Sequence, residues 1–397
     1  MLRLVLPLLL CLSACQVAPT PHAHADIASL RPADNLEQYQ QLSDSLRAID
    51  DQALRKELNT AGLTTPKLAN YTKRFGFNPS APRDFYATDE GRRIADVLLS
   101  FQTPSGGWSK RTDMGQQARQ TGQAYGVEEN YIPTFDNDAT STQIWVLARA
   151  YQATGERRYA DAAIRAVRLM VLAQYPNGGW PQNFPLSGGY HDDVTYNDNV
   201  TSNTLTVLNA ARTRQAPLDF IPAPLAAQAQ HSFERGLAAV VATQVLVANQ
   251  PTIWAAQYDA ISLTPSAARK YEPAALAAAE SAELVEFLMT LDNPPAAIRS
   301  AIISAHRWFT QHQIHGYRWE QRLREHSRLV KDPDAGPLWA RFYEIGSNKP
   351  VFGDRDGSIH YSVDNLSLER QLGYGWYSHQ PRRILQEFAD WQARTAP

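Results

Sequence analysis

One internal repeat constrains the fold of this chain more than any other feature. Residues 102–108 read Gln-Thr-Pro-Ser-Gly-Gly-Trp, and residues 174–180, which lie 72 positions later, read Gln-Tyr-Pro-Asn-Gly-Gly-Trp. A third marker follows, with Gln244 at the end of an Ala-rich segment and Trp254 shortly after it. A period of about seventy residues exceeds that of the common solenoid repeats. It favours a pair of helices followed by a Gly-rich turn and a short extended segment.

The spacing of apolar residues predicts the helices and strands around these turns. Helices are expected at residues 35–60, 90–101, 139–152, 159–173, 200–212, 223–241, 274–291, 296–313 and 382–395. Short strands are expected at residues 342–345, 348–352 and 359–361. Toroids of paired helices repeat in this way, with similar turns at one end of the ring. The predicted fold is therefore mostly α, an incomplete (α/α) toroid-like catalytic domain with a smaller mixed α/β region packed on it.

The first fifteen residues, MLRLVLPLLLCLSAC, have the pattern of a secretory signal. One Arg precedes an apolar run that is too short to span a bilayer permanently, and small residues follow. Residues 12–15, Leu-Ser-Ala-Cys, resemble the bacterial lipobox, in which Cys15 becomes the lipidated first residue of the mature chain. The residue after Cys15 is Gln16, which by the same resemblance favours sorting of the lipoprotein to the outer membrane. The alternative is an ordinary signal peptide that happens to contain a cysteine.

The remaining chain is predicted to have three parts. Residues 16–34 are rich in Ala, Pro and His and are typical of a flexible tether, residues 35–82 form an N-terminal helical appendage, and residues 83–397 form the catalytic domain. Both cysteines lie in the first fifteen residues, which excludes a disulfide and a Cys-ligated metal in the mature protein. The formal net charge is -2, so bulk nucleic-acid binding is not expected and an anionic ligand would need a local cluster of Arg and Lys.

A second self-similarity points to chemistry. Residues 135–141, Phe-Asp-Asn-Asp-Ala-Thr-Ser, and residues 196–202, Tyr-Asn-Asp-Asn-Val-Thr-Ser, align at a spacing of 61. Each alone is explained by an Asp or Asn that caps the following helix. That explanation does not account for three such residues clustering twice in equivalent turns, which would bring several carboxylates to one cleft. Oxygen ligands of this kind suit Ca²⁺ or Mg²⁺ rather than Zn²⁺.

These motifs resemble those of the pectate lyases of polysaccharide lyase family ten. The blocks that carry the resemblance are residues 106–110, 136–140, 177–182, 196–199, 268–273, 280–281, 339–344, 355–357 and 373–377. Their order and spacing cover roughly residues 86–397 and leave out the appendage. The sequence departs from the family pattern at Asp138, where Gly is usual, and at Ala255 and Tyr258, where Cys and His are usual.

The resemblance implies cleavage of α-1,4-polygalacturonate by anti β-elimination, with Ca²⁺ required. Asp136 and Asp198 would hold the calcium ion, and Arg269 would be the base. The substrate would be bound by four further residues, Arg355, Arg341, Asn137 and Lys110. The expected partners are an oligogalacturonate or polygalacturonate and, through the lipid anchor, a membrane of the bacterial cell envelope. A monomer without nucleic-acid partners is expected.

These residue types suit that chemistry. The proton at C5 of a uronate is poorly acidic beside a free carboxylate, and positive charge on the carboxylate stabilises the developing enolate-like dianion. Arginine binds carboxylates in bidentate geometry. Arginine as a base needs its pKa lowered from roughly 12.5–13.8 by neighbouring cations. Without the family resemblance, the sequence favours a different role for Arg269, which is a structural ion pair with Glu272.

The residue pattern is also compatible with two other functions. An inverting glycoside hydrolase could use Asp136 and Asp198 as its pair of carboxylates. A non-catalytic surface lipoprotein could instead capture oligogalacturonates and would not need the base. The products separate these readings, because a lyase leaves a 4,5-unsaturated end that absorbs ultraviolet light and a hydrolase does not.

Overall fold

A computed structural model describes residues 27–128, 132–321 and 327–395. The predicted signal at residues 1–15, the lipidated Cys15 and most of the tether at residues 16–34 lie outside these ranges and stay predictions. None of the described helices is both long and apolar enough to cross a membrane.

Except for a short helix at residues 368–372, which was not predicted, the described helices lie close to where the apolar spacing predicts them. They are α1 (Leu36–Ala61), α2 (Asp89–Ser100), α3 (Ser141–Thr154), α4 (Arg157–Leu172), α5 (Val200–Thr213), α6 (Ala223–Thr243), α7 (Ala278–Met289), α8 (Ala296–Gln311), α9 (Leu368–Leu372) and α10 (Pro381–Thr395). The prediction for residues 274–291 is wrong at its start. Leu276–Ala277 is a strand because the Ala277 amide donates to the Trp254 carbonyl at 2.8 Å. The helix begins only at Ala278.

The strands are short. They are β1 (Val194–Thr195), β2 (Leu246–Val247), β3 (Gln250–Pro251), β4 (Gln257–Tyr258), β5 (Leu276–Ala277), β6 (Tyr317–Glu320), β7 (Arg328–Lys331), β8 (Trp339–Ala340), β9 (Phe342–Tyr343), β10 (Pro350–Gly353), β11 (Ile359–His360) and β12 (Tyr377–Ser378). One sheet has four strands in the order β11-β10-β9-β5, and β1-β4, β2-β3, β6-β7 and β8-β12 pair in twos. All these pairs are antiparallel.

The prediction of a mostly α, toroid-like domain with a separate mixed region is wrong. The chain is about 48% helical, and small sheets are distributed along it. Extended segments within the helical part pair with one another, as β1 does with β4, and β5 joins the strands of the C-terminal part. Helix α10 packs back on α7 and α8. The sequence repeat indicated the turns, but it could not show how the extended segments between them pair.

The repeated turns share one buried hydrogen bond. The indole Nε1 of Trp108 donates to the Leu98 carbonyl at 2.8 Å, at the end of the preceding helix. The same bond recurs from Trp180, Trp254 and Trp339, each to a carbonyl at the end of the helix before it. The sequence repeat did not indicate the fourth copy at Trp339. All four indoles are fully buried, so the turns belong to the core.

Helix α1 packs against this core. It begins after Asn35, whose side chain accepts from the Gln38 amide, and it ends at Gly62 in a left-handed conformation. The Tyr39 hydroxyl donates to the Ala173 carbonyl at 2.7 Å. The buried carboxylate of Asp50 accepts from both the amide and the hydroxyl of Ser105, which lies in the first repeated turn. The helix is therefore fastened directly to a turn that positions the candidate site.

Candidate active site

The two similar sequence segments form two similar turns. Asp136–Asp138 precedes α3 and Asn197–Asn199 precedes α5, each as a single 3-10 turn. Thr140 Oγ1 donates to the Thr134 carbonyl at 2.9 Å, and Thr201 Oγ1 donates to the Thr195 carbonyl at 2.7 Å. The same positions therefore brace both turns.

The Asp and Asn side chains of these turns do not cap the helices. Neither α3 nor α5 has a side-chain hydrogen bond at its N-cap. Asn137 and Asp198 adopt left-handed backbone conformations with φ of 52° and 48°. Asn and Asp tolerate this region better than other residues with a Cβ. The local backbone thus directs these polar side chains to a role other than helix capping.

The two turns bring their carboxyl groups together. The side chains of Asp136 and Asp198 lie in hydrogen-bonding contact, and Asp136 is 1% exposed. Asn137 Nδ2 donates to Asp136 at 2.7 Å, and Asn197 Nδ2 donates to Asp198 at 2.8 Å. Lys110 Nζ forms an ion pair with the other oxygen of Asp136. Each acid therefore has an amide partner from its own turn.

The pair is electrostatically asymmetric. Burial and then the charge of Asp136 raise the pKa of Asp198 to about 7. Burial also acts to raise the pKa of Asp136, but Lys110 outweighs it and holds that pKa below its usual range. Two carboxylates this close repel unless a proton or a cation lies between them. The pair consequently favours a shared proton or a bound cation.

Arg341 lies on the other side of Asp198. Its Nη2 donates to Asn197 Oδ1 at 3.0 Å and to Glu280 Oε1 at 2.5 Å. Glu280 lies in the first turn of α7, next to Ser281, whose Oγ accepts a hydrogen bond from the Trp254 amide at 2.9 Å. Burial acts to lower the pKa of Arg341, but the charges of Glu280, Tyr374, Asp198 and Glu272 together outweigh it and raise the pKa. Arg341 is a fixed cation beside the two acids.

Arg269 is held by Glu272. Its Nε and Nη2 donate to the two carboxylate oxygens at 2.7 and 2.5 Å, and Tyr374 donates its hydroxyl to the same carboxylate at 2.5 Å. The Arg269 side chain is 44% exposed and Glu272 is 7% exposed. Burial acts to lower the pKa of Arg269, but the hydrogen bonds and charge of Glu272 outweigh it and raise the pKa. The Nη1 atom makes no hydrogen bond to a described residue.

A pair of tyrosine rings connects the arginines. The guanidinium carbons of Arg269 and Arg355 each lie 4.9 Å from the centroid of the Tyr271 ring, and that of Arg370 lies 4.3 Å from it. Arg341 lies 4.7 Å from the Tyr374 ring. Such distances are those of cation–π contacts. The two rings therefore link the four arginines into one connected group of side chains.

All seven residues predicted for catalysis, metal binding and substrate binding belong to this network. One group surrounds the two acids, and the other surrounds Tyr271; they meet at Tyr374. The first group is Lys110, Asp136, Asn137, Asp198 and Arg341, and the second is Arg269 and Arg355. Arg355 is the most exposed of the arginines and also pairs with Glu369 at 3.0 Å.

The three departures from the family pattern lie beside this network. Asp138 accepts a hydrogen bond from Asn203 at 2.8 Å. The Ala255 amide donates to the Tyr258 hydroxyl at 2.7 Å, and both residues are buried in their turn. Tyr258 therefore has a structural hydrogen bond of its own.

The residue pattern did not assign roles to several side chains that shape the site. Tyr271, Glu272 and Tyr374 position the arginines, and Glu280 positions Arg341. Tyr190 also belongs here, because the charges of Arg269, Lys110, Glu272 and Asp136 all act on its hydroxyl. The sequence contained a signal for Tyr271 and Glu272, because both lie within three positions of Arg269.

The donor set fits a hard cation. No group of three or more His, Cys, Asp or Glu side chains able to hold a metal occurs within residues 27–128, 132–321 and 327–395. The contacting carboxylates of Asp136 and Asp198 nevertheless repel each other when both are ionised, and two nearby buried acceptors, Asn199 Oδ1 and Glu280 Oε2, lack a hydrogen-bond donor. Carboxylate and amide oxygens are the ligands that Ca²⁺ prefers.

Comparison with known proteins gives consistent results. A family model for pectic acid lyase matches residues 102–385. The solved family 10 polysaccharide lyase from Cellvibrio cellulosa is 32% identical, with 80% of this chain and 98% of that chain covered and a TM-score of 0.70. A mutant of the Cellvibrio cellulosa family 10 enzyme in complex with trigalacturonic acid is 33% identical, with 78% and 95% covered and a TM-score of 0.70. Comparison with curated proteins gave no match.

Proposed function

The chain belongs to the pectate lyases of polysaccharide lyase family ten, and we propose that it cleaves α-1,4-polygalacturonate by calcium-dependent anti β-elimination. The observation that carries the proposal is the contact between Asp136 and Asp198, with Arg341 beside it and Arg269 linked to Tyr374 through Glu272. This arrangement combines a cation site with guanidinium groups, as elimination next to a carboxylate requires. The product would be a 4,5-unsaturated oligogalacturonate.

Asp136 and Asp198 would hold the calcium ion. Two protein carboxylates do not fill the six to eight oxygen positions that Ca²⁺ takes, so oxygens of the substrate or of water would complete the set. When bound, the ion supplies positive charge that stabilises the dianion developing on the substrate carboxylate. Lys110, which pairs with Asp136, would have to share that carboxylate or turn toward the substrate.

The arginines would bind the uronate groups. Arg341 is fixed by Asn197 and Glu280, so little side-chain entropy remains to be lost when it binds a carboxylate. Arg355 is more exposed and would have to exchange its pairing with Glu369 for a substrate carboxylate. Asn137 and Lys110 would contact the same chain near Asp136. The bound trigalacturonic acid in the structural relative supports a ligand of this class.

Arg269 would remove the C5 proton. Glu272 engages Nε and Nη2, which fixes the plane of the guanidinium and leaves Nη1 for the substrate. The same carboxylate raises the pKa of Arg269, so it positions the base and also opposes its deprotonation. Neutral Arg269 would therefore become accessible only at alkaline pH, or when a cation beside it offsets the charge of Glu272.

The geometry disfavours the hydrolase reading. Inverting hydrolases separate their two carboxyl groups by about 6.5–9.5 Å to leave room for a water molecule. Asp136 and Asp198 lie in hydrogen-bonding contact, so no water fits between them in that way. The non-catalytic reading does not account for the membership of the chain in a lyase family.

The assay that tests this function follows ultraviolet absorbance with polygalacturonate as the substrate. The protein from Gln16 onward should generate absorbance with calcium, lose it in EDTA, and regain it when calcium is added back. Reducing ends that appear without ultraviolet absorbance would identify a hydrolase. Binding of polygalacturonate without any product would identify a capture protein.

A further inference from the structure

A segment that precedes the family match lies against the edge of the active site. The Thr72 amide donates to the Arg111 carbonyl and the Asp113 amide donates to the Asn70 carbonyl, both at 2.9 Å, around an antiparallel bridge between Tyr71 and Thr112. The Met114 amide then donates to the Phe75 carbonyl at 2.9 Å. Residues 73 and 74 form the exposed bend between these anchors.

Three cations are concentrated at this bend. Lys73, Arg74 and Arg111 are exposed, and none forms an ion pair with any residue in the described parts of the chain. Other exposed arginines, such as Arg157 and Arg383, do pair with acids. We call Lys73, Arg74 and Arg111 the basic patch. Its charge is available to an anionic ligand.

Arg111 connects the basic patch to the active site. It follows Lys110 directly, and its Nη2 donates to Asn137 Oδ1 at 3.4 Å. Asn137 in turn donates to Asp136. Arg111 has a left-handed backbone with φ of 55°, which is uncommon for a residue with a long side chain. The bond from Thr72 to its carbonyl helps to hold that conformation, so the N-terminal segment positions this cation.

A groove opens beside the same pairing. It has a volume of about 210 Å³, and its mixed lining includes the polar side chains of Lys67, Asn70, Gln116 and Gln120 together with Leu63, Phe101 and the acid Asp113. Amide and ammonium groups can bond sugar hydroxyls, and Lys67 adds a further exposed cation. The groove next to the basic patch therefore offers polar groups that could bond the hydroxyls of a sugar.

We propose that the basic patch is a distal subsite, which binds galacturonate units of a long chain beyond those held at the active site. The proposal rests on the proposed function for the identity of the ligand. A polymer that reaches from Asp136 past Asn137 meets Arg111 first and then the bend at Lys73 and Arg74. One carboxylate on every sugar gives the complementary charge. The N-terminal segment would thus make the enzyme favour long substrates.

The test compares substrates of two lengths. Lys73→Gln combined with Arg74→Gln should raise KM for polygalacturonate by about 3- to 10-fold, the effect expected for two exposed ion pairs. The ratio of kcat/KM for polygalacturonate to that for trigalacturonate should fall by the same factor, and the effect should shrink in high salt. Arg55→Gln combined with Lys56→Gln is the matched control, since these exposed α1 cations also lack an ion pair with a described residue. An unchanged ratio overturns the proposal.

A binding experiment separates this inference from the proposed function. Full-chain variants are run through gels that contain polygalacturonate, with EDTA to prevent turnover. The basic-patch variant should be retarded less than the wild type and the control pair, whether or not the wild type is a lyase; equal retardation overturns the proposal. Vesicles that contain phosphatidylglycerol provide the other arm. A loss of vesicle binding with unchanged retardation would assign the basic patch to a membrane surface instead.

Discussion

Asp136 and Asp198 illustrate how the site uses polar groups that a stable fold would otherwise avoid. Their carboxyl groups touch, and burial together with Asp136 raises the pKa of Asp198 to about 7. Neither residue caps its helix. A hard cation between the two would relieve the repulsion, which is the physical reason to assign them to calcium.

We expect Asp136→Asn and Asp198→Asn to weaken calcium binding, because each removes one of two charged ligands. Calcium titration by calorimetry, with oligogalacturonate present to supply its own oxygens, measures the change. Asp138→Asn is the matched control, since Asp138 lies in the same turn but bonds to Asn203. Calcium affinity that is unchanged in both Asp136→Asn and Asp198→Asn would refute the assignment.

Glu272 both orients Arg269 and raises its pKa. A neutral amide at this position removes the negative charge that stabilises the guanidinium cation, so the pKa of Arg269 falls in Glu272→Gln. Because the base acts when neutral, the rising limb of kcat/KM against pH should move to lower pH. Glu369→Gln removes a carboxylate that pairs with Arg355 and should leave the limb in place. A limb that does not move in Glu272→Gln would show that another group is titrating.

At the scale of elements, the buried carboxyl group of Asp50 links α1 to the first repeated turn through Ser105. Burial raises the pKa of Asp50 to about 7, against the lowering effect of the two hydrogen bonds from Ser105. An acid whose pKa is raised by folding keeps its proton longer in the folded state. The wild type should therefore lose stability as the pH rises from about 4 to about 7.

Asp50→Asn keeps a group of the same shape without the charge. It should be more stable than the wild type above pH 7, by a few kcal/mol at most, because one pKa unit corresponds to about 1.4 kcal/mol. The difference should vanish near pH 4. Urea unfolding at several pH values measures it, and Asp51→Asn, at an exposed neighbour, is the control. A pH-independent difference would contradict the account.

Most helices and the repeated turns that end at Trp108 and Trp180 could be predicted because their signals are local. Apolar spacing located α5 and α6 closely, and the two Asp/Asn clusters predicted the turns that meet at the site. The pairing of β5 with β9 could not be predicted, since it joins residues more than sixty positions apart through backbone hydrogen bonds. The same holds for the Tyr374 contact with Glu272. Arg341 and Arg355 were identified as site residues only through the family resemblance.

At the scale of the whole molecule, we propose a lipoprotein of the bacterial cell envelope that is anchored by a lipid on Cys15. We expect Cys15→Ser to release the protein from membranes while activity is retained, because the catalytic residues lie far along the chain from the anchor. Membrane fractionation followed by the product assay measures both properties. A variant that still sediments with membranes as the wild type does would contradict the lipobox interpretation.

The most direct test of the central claim is the steady-state kinetics of Arg269→Lys and Arg355→Lys on polygalacturonate, followed by product absorbance. Arg269→Lys keeps the charge but moves the nitrogen that must reach the C5 proton. General-base catalysis typically contributes about 10²–10⁴-fold, so kcat should fall by at least that order while KM changes little. Arg355→Lys should mainly raise KM through loss of bidentate binding. Near wild-type kcat in Arg269→Lys would contradict the account and leave Arg269 with only its structural pairing to Glu272.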